Sequence, residues 1–280
     1  MSFIVHGASG AQGSPVLSVL RGHGQSAVAA VRDPSKVEGP AVAVDFSDVD
    51  SLVRAYEGAE GVFVHLPVGR PEDQIPFAKA IGAALRQAQP GRVVFSTSGY
   101  SVEHGSDAED GPNTMLGELE AGSVSYAVVE PRLYLENLLL PAVLEPVRKE
   151  GVLRYPLRAD YATSWSSHLD IADVVYHLLT RPNIEGIVSV GALPGLRGHE
   201  LADGFSKYLG HEIRYEPMTP EEFGELIIPM FGQDAAVPVV ESYKYRQDQI
   251  DELIPESRSA QKLLDQKPRR VEEWLRNLGI

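Results

Sequence analysis

The chain has 280 residues, 25 basic against 39 acidic side chains, a formal charge of −14 and no cysteine. These figures exclude disulfides, thiolate catalysis and cysteine-ligated metals, and they leave no global electrostatic basis for holding nucleic acid or an anionic membrane. No uninterrupted apolar stretch of about 18 residues exists to span a bilayer, and the N-terminus reads as a strand, not a signal peptide, so the expected location is the cytoplasm. The length suits two domains, or one α/β domain with an appended lobe.

Residues 3–5 read as a buried strand that stops at Gly7, glycines recur at Gly10 and Gly13, and Val16, Leu17 and Leu20 then take helical spacing. This is a strand, a glycine turn and a helix. Gly7 would permit the tight turn, Gly10 would let a pyrophosphate approach the backbone, and Gly13 would let the helix start pack closely on the strand. The free N–H groups of this turn, in which Ser9, Ala11 and Gln12 also stand, and the positive end of the helix dipole would hold phosphate.

A second strand is predicted over residues 27–31, closed by Arg32-Asp-Pro34. A third covers 41–44 and ends at Asp45, followed by a helix marked by Leu52, Val53 and Tyr56 and capped near Ser47 or Asp48. Residues 61–67 form a fourth strand, Phe77, Ile81 and Leu85 line one face of a long helix, and residues 92–98 form a fifth strand with a polar end. Short apolar strands separated by helices require a parallel sheet covered on both faces, doubly wound by right-handed crossovers.

Residues 100–113 are polar and glycine-rich and read as a long loop over the strand ends. A helix over 114–121 and a sixth strand over 125–129 follow, and the apolar segment 133–144, interrupted by Glu136, Asn137 and Pro141, reads as buried. Ile171, Val174, Val175 and Leu178 mark a helix, 186–190 a strand, 199–209 a helix and 212–215 a strand. From Thr219 the chain reads as mostly helical, with Val271, Trp274, Leu275 and Leu278 on the last apolar face. The expected fold is therefore α/β, a Rossmann-type doubly wound parallel sheet over residues 1–150, with a smaller, mostly helical C-terminal lobe over 151–280, some of whose elements rejoin the first domain.

In such a sheet a ligand crosses the carboxyl ends of the strands at the switch point. The residues there are the glycine turn, Arg32 with Lys36 nearby, Asp45 and Phe46, Leu66 and Pro67, and Thr97 and Ser98. An acidic residue after the second strand would hold a ribose 2′-hydroxyl, whereas the guanidinium found there, Arg32, pairs with a 2′-phosphate and so points to NADP(H). Asp45 stands where it could accept a hydrogen bond from an adenine amine or cap the following helix. Tyr100, Tyr134, Asn137, Trp165 and His168 follow or flank strand ends and are the candidate contacts of a small-molecule substrate. The eight histidines show no metal-binding spacing, no nucleophile elbow or Walker loop occurs, and Ser259-Ala-Gln-Lys262 stands without the partner motifs its pattern needs.

Gly7-Ala-Ser-Gly-Ala-Gln-Gly13, Ala-Val-Arg32-Asp-Pro34, Asp45, Phe95-Ser-Thr-Ser98, Tyr126-Ala-Val-Val-Glu-Pro131 with Leu135-Glu-Asn137, and His168-Leu-Asp-Ile-Ala-Asp173 come in an order that resembles the NmrA-like proteins. These are the atypical branch of the short-chain dehydrogenase/reductases that includes quinone reductases, triphenylmethane reductase and isoflavone-reductase-like enzymes. The resemblance implies NADPH on the Rossmann domain, substrate held between it and the C-terminal lobe, and either reductase activity or a regulatory, redox-sensing role. Two departures bear on the chemistry. No Tyr-x-x-x-Lys pair occurs, and the helix before the sixth strand offers Glu118 and Glu120 where family members commonly carry a lysine. Likewise Glu130 replaces the family's arginine, with Arg132 displaced beyond Pro131. The catalytic proton donor therefore stays unassigned, which favours quinones and conjugated acceptors over simple alcohols. The assembly is left open, a homodimer included.

Overall fold

The computed structural model describes residues 2–280, which fall into two compact units. The first holds the chain up to Pro131, His168–Val190 and Glu256–Gln266, and the second holds Arg132–Ser167, Gly191–Pro255 and Lys267–Ile280. Elements are numbered in chain order.

The first unit is a parallel sheet of seven strands, β1 (Phe3–His6), β2 (Ala27–Val31), β3 (Ala41–Ala43), β4 (Gly61–His65), β5 (Val93–Ser96), β6 (Tyr126–Pro131) and β9 (Gly186–Val190). Their order across the sheet is β3-β2-β1-β4-β5-β6-β9, and every neighbouring pair is parallel. The Rossmann-type sheet expected from the alternating apolar runs is thus present. Its order reverses between β1 and β4, which is the switch point of a doubly wound sheet.

Helices α1 (Gly13–Gly22) and α6 (His168–Thr180) pack together, as do α2 (Val49–Tyr56), α3 (Ile75–Ala88) and α4 (Gly111–Glu120). Leu52, Ile81, Leu85, Phe95, Met115 and Leu119 belong to one buried cluster between the sheet and this second group. Helix α2 is capped by Asp48, whose carboxylate accepts from the backbone N–H groups of Asp50 at 3.0 Å and Ser51 at 3.2 Å. Helix α4 begins at Gly111, so the predicted loop of residues 100–113 ends three residues early. The reason is local: Asp110 accepts from the Asn113 N–H at 2.8 Å and Pro112 occupies the first turn, where its missing N–H costs nothing.

Arg92, at the entry to β5, is 2% exposed and anchors several segments at once. Its guanidinium donates to the carbonyl oxygens of Leu178 and Ile184, to that of Pro182 at 3.1 Å and to the Ser125 hydroxyl at 2.6 Å. At the opposite ends of the strands Glu130 is fully buried and accepts from the Ser189 hydroxyl at 2.9 Å, from Arg258 at 3.0 Å and from the Val102 N–H at 3.2 Å. The Glu256–Arg258 turn and α10 (Ala260–Leu264) thus return to the sheet.

The second unit contains α5 (Pro141–Glu150), α7 (Gly198–Leu209), α8 (Pro220–Phe231), α9 (Gln233–Gln247) and α11 (Val271–Leu278). It also contains two short parallel pairs, β7 (Val152–Tyr155) with β10 (Arg214–Pro217) and β8 (Ala162–Thr163) with β11 (Asp251–Glu252). The strand expected at 212–215 is β10, two residues later, and it joins β7, a strand absent from the sequence reading because its four residues alternate too briefly to show a period. The sequence reading divides the chain near residue 150 with some later elements rejoining the first domain; the compact units here interleave, with α6 and β9 extending the first sheet past β6. Among the described residues no helix is long and apolar enough to cross a membrane.

Arg92→Ala should leave buried carbonyls unsatisfied and lower unfolding stability by about 3 kcal/mol, and Arg92→Lys should recover only part of it, as read by urea denaturation. His6 gives the fold a pH dependence of known sign. It is fully buried, with Nε2 at 2.9 Å from the Tyr56 hydroxyl, and burial, with the nearby His65, lowers its pKa to about 3. Between that value and about 6.5 the unfolded chain binds more protons than the folded one, so stability is full above about pH 6.5 and is lost as the pH falls. The loss should approach 1.4 kcal/mol per pH unit for this group. His6→Gln should flatten that slope in denaturation series run from pH 7 to 4.

Candidate functional site

The glycine turn is packed so closely at Gly7 and Gly13 that neither position has room for a side chain. Gly7 has φ +59°, its N–H donates to Ala30 O at 3.1 Å, and its carbonyl accepts from the Gly10 N–H at 2.7 Å. A Cβ on Gly13 would overlap the backbone of Gly7 and the carbonyl oxygen of His6, and one on Gly7 would overlap the His65 ring. Gly7 thus serves both a left-handed turn and a close approach, and Gly13 lets α1 start against the end of β1.

Helix α1 has no side-chain cap and no acidic residue in its first turn, and Ser9, Gly10 and Ala11 are exposed. Its leading N–H groups and dipole face outward without a built-in anion. Gln12 is half-buried and joins the turn to the end of β5: its amide nitrogen donates to the Ser98 hydroxyl at 3.0 Å and its amide oxygen accepts from Ser96 at 2.8 Å. Ser98 has φ +57°, a left-handed conformation held by this clasp. Between them Thr97 is 1% exposed, and its hydroxyl has no hydrogen-bond partner among the described residues. Leu66 is buried, and Pro67 offers its carbonyl to Gln74 at 2.7 Å.

The ends of β2 and β3 sort their charges locally. Asp33 accepts from the Ser35 N–H at 3.1 Å and its hydroxyl at 2.6 Å, which holds the carboxyl below its usual range, and Lys36 lies 3.9 Å from it. Asp45 does the same with Ser47, at 2.8 Å and 2.6 Å, and its pKa is likewise lowered by these bonds. Phe46 is half-buried with its ring 5.0 Å from that of His6. Arg32, between β2 and Asp33, is exposed and has neither a hydrogen bond nor an ion pair among the described residues. Asp33, the acidic residue next to Arg32, is thus engaged by the following turn, and the guanidinium stays exposed without a partner among the described residues.

Three imidazoles stand near the turn: His6 ends β1, His65 ends β4 and His168 begins α6. His65 was not among the residues singled out from sequence. Its only signal was its place at the end of the fourth strand, directly before Leu66 and Pro67. Among the described residues no group of three or more carboxylate or imidazole side chains is arranged to hold a metal.

All the expected cofactor residues, with Tyr100 and His168, lie in the first unit, whereas Tyr134, Asn137 and Trp165 lie in the second. Within the second unit Tyr134 bridges to Ser166, Asn137 hydrogen-bonds the buried Tyr155–Tyr243 hydroxyl pair, and Trp165 is 1% exposed with its ring 5.5 Å from Tyr155. Trp165 is a core residue in this conformation. The phenol of Tyr100 is pushed above its ordinary range by burial and by Glu72 and Asp110, the reverse of what a proton donor near neutral pH needs. Glu118 pairs with Arg86 and Glu120 with His104, so neither carboxylate of α4 takes the place of the absent lysine.

The residues present fit a phosphate-bearing dinucleotide: a turn with no room for a Cβ at Gly7 and Gly13, an uncapped helix start and, among the described residues, an unpartnered buried hydroxyl at Thr97 and an unengaged guanidinium at Arg32. Solved structures share the whole fold. Triphenylmethane reductase from Citrobacter sp. superimposes with a TM-score of 0.77 at 17% identity, covering 100% of both chains. An NADPH-dependent quinone oxidoreductase from Escherichia coli, solved in complex with NADPH, gives 0.73 at 17% identity over 99% of this chain and 100% of that one. A nucleoside-diphosphate-sugar epimerase from Staphylococcus aureus gives 0.74 at 22% identity over 98% and 99%. Among curated proteins, prestalk A differentiation protein A of Dictyostelium discoideum is 24% identical over 191 residues, 66% of this chain, and the match spans only 58% of that relative. The profile of the NmrA-like family matches residues 2–275, nearly the whole length, and the chain belongs to that family.

Proposed function

We propose that the protein is an NADPH-dependent oxidoreductase that passes hydride to a small, electron-poor organic acceptor such as a quinone. The observation that carries the reading is the pairing of an uncapped glycine turn with an exposed, unengaged Arg32 after β2, beside an Asp33 that is occupied by Ser35. The fold shared with an NADPH-dependent quinone oxidoreductase supports it. When bound, NADPH supplies the hydride. The chain's own residues then have separable tasks. The N–H groups at the start of α1 hold the pyrophosphate, Arg32 holds the 2′-phosphate with charge-assisted hydrogen bonds, and Thr97 offers a hydroxyl that has no partner among the described residues.

The missing tyrosine and lysine pair leaves the proton donor unassigned. That favours acceptors whose reduced form takes its proton from water, as a hydroquinone does. The same absence supports a second reading, an NADP(H)-binding redox sensor with little or no turnover.

Arg32→Ala should weaken NADPH binding by about tenfold to a hundredfold, the size of a lost charge-assisted contact, and leave NADH binding nearly unchanged. Calorimetric titration of both nucleotides checks this, and equal losses would refute the phosphate contact. Loss of NADPH absorbance with a panel of quinones should proceed at about 1 per second or faster. Tight nucleotide binding without turnover on any acceptor would instead establish the sensor.

A further inference from the structure

The imidazole of His65 faces the glycine turn from the end of β4. A Cβ on Gly7 would overlap its Nε2 and Cε1, so the edge carrying Nε2 lies directly against the first glycine of the turn. The other nitrogen is committed, because Nδ1 lies 3.0 Å from the Leu66 carbonyl oxygen and can only donate to it. In the neutral ring that bond fixes the tautomer and leaves a lone pair on Nε2. A lone pair repels an anionic oxygen, whereas the protonated ring presents an N–H to it. An anion held against this side of the turn would therefore meet an obstacle or a donor at the same atom, depending on one proton.

We propose that His65 is a pyrophosphate-binding residue that takes up a proton from solvent when the dinucleotide docks, so that cofactor affinity is set by pH through this imidazole. The inference rests on the dinucleotide reading given above. The groups acting on His65 fit such a role. Burial holds the free ring below its ordinary range, against the opposing effect of the Leu66 carbonyl, so it is neutral near pH 7. His6 approaches from β1 and His168 from α6, and the Phe63 ring lies 6.0 Å away on the same strand. Tyr56 of α2 reaches the cluster only through its bond to His6 and stays protonated, its pKa being raised by burial. No carboxylate is among the influences on the ring, so the ligand's phosphates are the anion that can raise its pKa. A charge on His65 opposes charging of His6, already lowered to about 3, and of His168, lowered to about 4.

The sign follows from linkage. If the ring is neutral when free and cationic when bound, affinity rises as the pH falls, by up to about tenfold per pH unit between the two pKa values. NADH is the probe, because a 2′-phosphate has its own pKa near about 6 and would mask the effect. Titrations at pH 6 in two phosphate-free buffers of different ionisation enthalpy should show net proton uptake by the wild type and a weakening of NADH from pH 6 to 8. His65→Gln should still bind NADH at pH 8 but take up no proton and show a flat pH profile. Equal proton uptake by wild type and variant, or none by the wild type while it binds, overturns the proposal and leaves the dinucleotide reading intact. Absence of binding by either protein to NADH and NADPH alike overturns the dinucleotide reading itself. Should the variant fail to fold, the His65 ring resonances of the wild type decide: at pH 6 they should move to the protonated position on saturation with NADH, and an unmoved signal overturns the proposal.

Discussion

The contact on which the first unit depends is the approach of the start of α1 to the end of β1, where Gly13 lies so close to the backbone of Gly7 and His6 that no Cβ fits. A helix placed this close must begin directly over the strand ends, with its leading N–H groups pointing at whatever crosses them. The Gln12 clasp to Ser96 and Ser98 carries that placement sideways to β5. The turn, the fifth strand and the left-handed Ser98 are thereby held as one rigid edge.

Around that edge the acidic side chains are occupied at short range. Asp33, Asp45 and Asp48 each accept from N–H or hydroxyl groups two or three residues on. This is the competition between short polar side chains and the backbone that fixes turns and caps. It has an electrostatic consequence as well. In a chain with a formal charge of −14, these carboxylates are engaged in turns and caps, and Arg32 remains as an exposed cation beside them.

Two buried charged anchors hold opposite ends of the sheet. Arg92 forks into carbonyls of the α6 terminus and the segment leading to β9, and Glu130 gathers Ser189, Arg258 and the Val102 backbone. Each is satisfied by several partners, the condition under which a buried charge can stand in a core. Glu130 occupies the position at which the family resemblance implies an arginine. Its carboxylate joins late segments of the chain to the sheet and is not presented as a proton donor.

What the sequence determined by itself was local and periodic: the strand, glycine turn and helix, the run of apolar strands separated by amphipathic helices, and Arg32 after the second strand. Glycine at a left-handed φ, apolar spacing and capping residues act over a few positions, so their signals survive in the linear chain. The Asp110-Gly-Pro cap was equally local, and was hidden only by the polar composition around it. Tertiary structure decided the rest. Nothing near residue 187 announces that β9 pairs with β6, because hydrogen bonding between distant strands leaves no mark on either. The roles of Gln12, Glu130 and His65 were set in the same way, by partners 86, 59 and 58 residues away in Ser98, Ser189 and Gly7. A side chain's chemistry is written in its type, but whether it binds, anchors or titrates depends on what folding brings against it.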